Sequence, residues 1–125
     1  MIAVLSGALV VGLGAVGSHA LGPFLEASGR TDTYQTAIRY HIFHTLAMMC
    51  LGILGLQIRS KGIIIGAYLM LAGMIMFSGS LYLLSLTGRI WLAYLTPAGG
   101  ITLIVSWLFV FYGLLHVRWD INTPE

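Results

Sequence analysis

Four long stretches of the chain contain no Asp, Glu, Lys or Arg: Met1 to Leu25, Tyr40 to Ile58, Gly62 to Gly88 and Ile90 to Val117. Each reaches or exceeds the length of about 18 to 20 apolar residues that carries a helix across a bilayer. Only 8% of the 125 residues are charged, where a soluble globular domain would carry roughly 25%. A soluble protein is therefore excluded. The single cysteine, Cys50, and a net charge of only +2 likewise exclude a disulfide scaffold and a nucleic-acid binder.

The expected fold is all-α: an integral membrane four-helix bundle of up-down antiparallel hairpins, forming one domain over residues 1–125. The spans fall near 1–24, 34–56, 62–86 and 97–117. The connection from Leu25 to Thr33 holds turn formers and three of the ten charges, and the Gln57 to Gly62 connection is a tight basic turn. Between Thr87 and Thr96 the chain is less regular, and Arg89 and Trp91 there suit the headgroup level, as Tyr94 does. Thr96-Pro97 reads as an N-cap followed by a first-position proline, so the last helix is expected to start there. The tail from Arg118 to Glu125 is short and polar. Nothing basic precedes the first span, which is also long for a signal core, so it is expected to stay as a span rather than be cleaved. Lys and Arg divide three and three between the two sides, and placing Arg39 inside the second helix tips the balance toward cytoplasmic termini.

Gly12-Leu-Gly14-Ala-Val-Gly17, with Asp32 downstream, matches the dinucleotide fingerprint. That motif needs a βαβ unit behind it, and the chain beyond Asp32 holds three more spans instead. The glycines have a better use. Gly7, Gly14 and Gly17 lie at a/d spacing with Ala3, Val10 and Leu21, so they are expected to bring the first helix close to the bundle centre or to a second subunit. Gly66 and Gly73 in the third span and Gly99-Gly100 in the fourth read the same way, and Gly79 is a further candidate packing position.

His41 and His44 are three residues apart and share a helix face with Ala37 and Met48, whereas Arg39 lies round from it. Arg39 is expected to snorkel to the interface or to pair with Glu26 or Asp32. Ser78, Tyr82 and Ser85 share a face of the third span, with Ser80 nearby. Counted inward from one interface, His19, His41, His44, Ser80 and Tyr82 all fall within roughly 6 to 15 Å. His116 lies at the opposite end, beside Arg118 and Trp119.

Gly14-Ala-Val-Gly-Ser-His-Ala-Leu21, Thr36-Ala-Ile-Arg-Tyr-His-Ile-Phe-His44, Phe77-Ser-Gly-Ser-Leu-Tyr-Leu83 and Leu95-Thr-Pro-Ala-Gly-Gly100 resemble, in order, the signatures of the domain-of-unknown-function 423 family. That family comprises YgdD-like bacterial inner-membrane proteins and their transmembrane protein 256-like animal relatives. The resemblance implies a small four-helix protein of the bacterial inner membrane and carries no activity with it. His19, His44, Ser78, Ser80, Tyr82, Thr96, Pro97 and Gly99 stand at its motif positions, as functional or packing residues.

Three functions are open to such a chain. The first is a non-enzymatic, self-associating membrane protein with a structural or partner-binding role, in which the polar groups hydrogen-bond between helices and fix their register. The second is a proton, ion or small-solute conduit built on the polar layer of His19, His41, His44, Ser78, Ser80, Tyr82 and Thr96. The third is a small membrane enzyme, using a metal held by the three histidines or a Ser–His pair, although no carboxylate stands in the spans to orient an imidazole. The expected partners are the lipid bilayer and further copies of the chain. No catalytic residue, metal or cofactor is assigned.

Overall fold

The computed structural model describes residues 1–117; the tail with Arg118 and Trp119 lies outside the described residues. The elements in order are α1 (Ile2–His19), α2 (Gly22–Ala27), α3 (Thr31–Gln57), α4 (Lys61–Thr87), a 3₁₀ helix (Ile90–Tyr94) and α5 (Leu95–Leu115). Four helical segments are long and apolar enough to cross a membrane: α1, α3, α4 and the 3₁₀ helix continued by α5.

The first span ends sooner than its apolar run, for a reason carried by Pro23. Proline has no N–H and its ring crowds the carbonyl four residues back, which here is that of His19. The helix closes at that point, with the Ala20 and Leu21 N–H groups both donating to Val16 O at 2.9 Å. Pro23 then opens α2, where its missing donor costs nothing. At the far end of α4, Gly88 adopts φ +68°, and its N–H closes on Leu84 O at 2.9 Å, a left-handed helix stop that suits glycine. The Arg30 guanidinium covers Gly88, placing a cation at the negative end of the α4 dipole.

The last helix corrects the expected start at Thr96-Pro97. The chain is already helical at Leu95, and the 3₁₀ turn leads straight into it. Thr96 is not an N-cap: its hydroxyl lies 3.4 Å from Leu92 O and 2.8 Å from Ser80 Oγ. Pro97 fits because it falls in the first turn, where backbone donors have no intrahelical partner.

The spans pack in chain order, α1 on α3, α3 on α4 and α4 on α5, and the last seam is the most extensive. Side-chain pairs give the directions. Gly7 faces Thr45 while Gly17 faces Tyr34, and Thr45 reaches Met74 while His41 reaches Tyr82, so both hairpins are antiparallel. Contact between α1 and α5 of the kind that would close the ring is not developed. The bundle is therefore open, with one groove between α3 and α5 across α4 and another between α1 and α4 across α3.

The α4–α5 seam is set by residues without side chains. Gly62 lies against Gly113, Gly66 against Val110, Gly73 against Leu103, and Gly99 against the Phe77 backbone. Moving from Gly66 to Gly73 on α4 is matched by the same step from Val110 back to Leu103 on α5, and Gly73 to Phe77 by Leu103 to Gly99. Lipid tails are as apolar as leucine, so close backbone approach and dispersion, rather than hydrophobic burial, hold such a pair. Ser106 Oγ adds a hydrogen bond of 3.0 Å to Gly66 O across the seam.

Candidate functional site

A connected polar chain crosses α1, α3 and α4. Ser6 Oγ lies 2.7 Å from Thr45 Oγ1 and 3.0 Å from His41 Nε2, and His41 Nδ1 lies 3.2 Å from the Tyr82 hydroxyl. Helical rise puts Tyr82 about 8 Å from its end of α4 and Thr45 about 21 Å from the start of α3, so the chain runs from near one interface to the middle of the spans. Ser6, His41 and Thr45 are all buried. The imidazole donates at one nitrogen and accepts at the other, so either tautomer satisfies both neighbours. Tyr82 is also held edge-on by the Tyr34 ring, 5.2 Å away between centroids. Tyr34 in turn donates to Leu13 O at 2.7 Å and fills the space left by Gly17.

The expected polar layer thus separates into parts. His41 and Tyr82 meet. His44, although on the same buried face of α3, turns to the other side: its Nδ1 donates to Tyr40 O at 2.8 Å, which leaves Nε2 as the acceptor, and its ring lies near Phe43 and Trp107. Ser80 and Thr96 form a separate pair at 2.8 Å that joins α4 to the start of α5. His19 is exposed at the end of α1 and joins neither group. Among the described residues, no three His, Cys, Asp or Glu side chains gather to hold a metal. His116 is exposed and bonds to Tyr112 O of its own helix.

Ser78 is 2% exposed, and its Oγ has no hydrogen-bond partner among the described residues. It lines the α1–α4 groove, a slot of about 360 Å³ walled by leucine and isoleucine side chains, with His41 and Tyr82 at its polar end. The α3–α5 groove is larger, about 610 Å³, and carries Arg39 at one end with Tyr40, Phe43, His44, Phe77 and Trp107 along it. Arg39 is exposed on α3. Arg89, Trp91 and Tyr94 are exposed around the buried Leu92, the arrangement of an interfacial segment.

The candidate packing glycines also separate. Gly17 and Gly99 admit no side chain, and Gly7 and Gly100 are in ordinary contact with Thr45 and Phe77. At Gly14 and Gly79 an added methyl group would meet nothing within 4 Å, so neither mediates a close approach inside this chain. Sequence reasoning missed Ser6 and Thr45. Both had a signal: Ser6 is the one hydroxyl in the first seventeen residues, and Thr45 lies a single helical turn beyond His41.

A family model described as protein of unknown function (DUF423) matches residues 13–100. The UPF0382 membrane protein YwdK of Bacillus subtilis (strain 168) is 37% identical over 103 residues, 82% of this chain and 83% of that protein. The UPF0382 inner membrane protein YgdD of Escherichia coli (strain K12) is 33% identical over 117 residues, 93% of this chain and 88% of that protein. A UPF0382 membrane protein of Haemophilus influenzae is 33% identical over 109 residues, 87% of this chain and 86% of that protein. No solved structure matches the chain. With four helices able to span a bilayer and relatives named for the inner membrane, this is a multi-pass inner-membrane protein. It belongs to the DUF423 family.

Proposed function

We propose that the protein is a non-enzymatic membrane component that associates with further copies of itself and serves a structural or partner-binding role. The observation that carries this reading is the state of α1. Only 17% of its apolar window is buried, against 39% for α3 and α4. Among the spans it leans chiefly on α3, and its outer face exposes Ala8, Gly12 and Ala15, with nothing within 4 Å of where a Gly12 side chain would begin. Small residues four and three apart are what a second helix packs against in lipid. Single cysteines at Ala8 and Gly12, in a Cys50→Ser background, are expected to cross-link two copies in native membranes, while a cysteine at Val110 on the buried α4–α5 seam does not. Monomers at every position, together with a one-chain mass in detergent, would refute self-association.

A second reading, a proton conduit, is favoured by the continuous Thr45–Ser6–His41–Tyr82 chain, because a hydrogen-bonded row of hydroxyls and imidazole can pass a proton along its length. It requires a pH-dependent flux in reconstituted vesicles that His41→Ala abolishes. A flat trace from folded protein disposes of it.

A further inference from the structure

We infer that the α3–α5 groove is a binding site for an anionic phospholipid, whose phosphate is held by Arg39 and one of whose acyl chains lies inward along Phe43 and Trp107.

The argument starts from the depth of the charge. Arg39 stands eight residues beyond the start of α3, about 12 Å along the helix axis, on an exposed face of a membrane span. Side chains in a helix lean toward its N-terminus, which for α3 is the nearer aqueous end. The guanidinium is thereby carried back about half that depth, to the level where lipid phosphates and glycerol esters lie. A guanidinium at this level meets lipid phosphates, and its planar fork matches phosphate oxygens in pairs.

The groove is graded in the direction a lipid requires. Its outer end holds Arg39 and, on α5, Gly100, which has no side chain to narrow the mouth. Farther in, Phe43, His44 and Trp107 lie about 18 to 20 Å from the starts of their helices, with the Phe43 and Trp107 ring centroids 6.0 Å apart across the groove. Phe77 of α4 forms part of the floor. Charge thus stands toward water and aromatic surface toward the bilayer centre, the polarity of one lipid molecule in one leaflet. The same end of the protein also carries Arg30 and Arg89 against Glu26 and Asp32, so with Arg39 three cations face two carboxylates, a small positive excess that favours an anionic over a zwitterionic headgroup.

A second copy of the chain is a poorer occupant. Its four carboxylates are Glu26, Asp32, Asp120 and Glu125. Of the two among the described residues, Glu26 lies on the short α2 and Asp32 in the first turn of α3. Neither stands as far into a span as Arg39.

The test uses full-length protein, stripped of lipid in mild detergent and titrated with phosphatidylglycerol, with phosphatidylcholine of the same chains, and with the matching free fatty acid, each monitored by native mass spectrometry. Wild type is expected to take up one phosphatidylglycerol about tenfold more tightly than phosphatidylcholine, the worth of one charge-assisted contact. Arg39→Gln removes that preference and Arg59→Gln, at the opposite end of the bundle, keeps it. A Trp91→Phe, Trp119→Phe variant leaves Trp107 as the only reporter. Its fluorescence should then be quenched by phosphatidylglycerol brominated in its acyl chain, and not after Arg39→Gln at the same lipid concentration. Equal binding of the two phospholipids, or a preference that survives Arg39→Gln, overturns the proposal. Binding of the fatty acid at least as tight as that of phosphatidylglycerol overturns it too, by assigning the groove to a free carboxylate. Oligomeric state is read from the same spectra, so failure here is distinguishable from failure of self-association.

Discussion

Replacing Gly99 by alanine tests whether backbone approach holds the α4–α5 pair. A methyl group built on Gly99 would fall 2.5 Å from Phe77 N and 2.9 Å from the Met76 carbonyl carbon and Phe77 Cα. Carbon atoms rest at about 3.5 to 4.0 Å, so the two helices must separate locally by about 1 Å. The obstacle is backbone inside a regular helix and cannot swing aside as a flexible side chain would. Overpacking of this kind costs about 1 to 3 kcal/mol, and the adjacent Ser80–Thr96 bond at 2.8 Å is strained by the same displacement. Against this stands the better helix propensity of alanine, worth about 1 kcal/mol. With about 1 kcal/mol more from the strained Ser80–Thr96 bond, the net expectation is a loss of about 1 to 3 kcal/mol, read as a fall of several degrees in the thermal transition monitored by circular dichroism in detergent. Gly79→Ala on the same helix is the control. It gains the same propensity, and its methyl group meets nothing within 4 Å, so its transition should stay level or rise. A Gly99→Ala protein as stable as wild type, or a Gly79→Ala protein that loses as much, would refute the claim that this seam is set by close backbone contact.

Three further expectations concern the polar groups. His41→Ala removes the group shared by Ser6 and Tyr82 and should cost about 1 to 3 kcal/mol through the Tyr82 hydroxyl left unpaired, Ser6 keeping its bond to Thr45. His19→Ala, at an exposed helix end, should fall within about 0.5 kcal/mol of wild type, and the same melting experiment separates the two. Ser78→Ala should be neutral or stabilising by up to about 1 kcal/mol, because it deletes a buried hydroxyl without a partner. A clear loss of stability in that variant would mean that the hydroxyl is bonded in the membrane.

The solvent decides which features of this fold are legible in the sequence and which are not. The spans show themselves because hydrocarbon excludes charge, and charge-free runs mark them without any knowledge of packing. The close-contact positions Gly66, Gly73 and Gly99 are visible as well, as small residues that let backbones approach, although the same reasoning selects Gly14 and Gly79, which meet nothing within 4 Å. Which other faces turn inward is much harder to read. A soluble helix buries apolar residues and exposes polar ones, but here the outward residues Val4, Leu9, Ile53 and Phe111 are as apolar as any in the core. Periodicity therefore cannot tell a lipid-facing stripe from a helix-facing one, and nothing in it indicates that α1 and α5 stay apart. Depth counting has a related limit. It groups His19 with His41, but Pro23 stops α1 at His19 and leaves that imidazole at an exposed end. It also passes over Ser6 and Thr45, which lie deeper than the layer it collects and join His41 in one bonded chain across α1 and α3. The information that joins Ser6, His41 and Tyr82 lies in antiparallel register, and the α1–α3 register places Gly7 on Thr45 and Gly17 on Tyr34. The small residues that look like featureless filler are what align the polar ones.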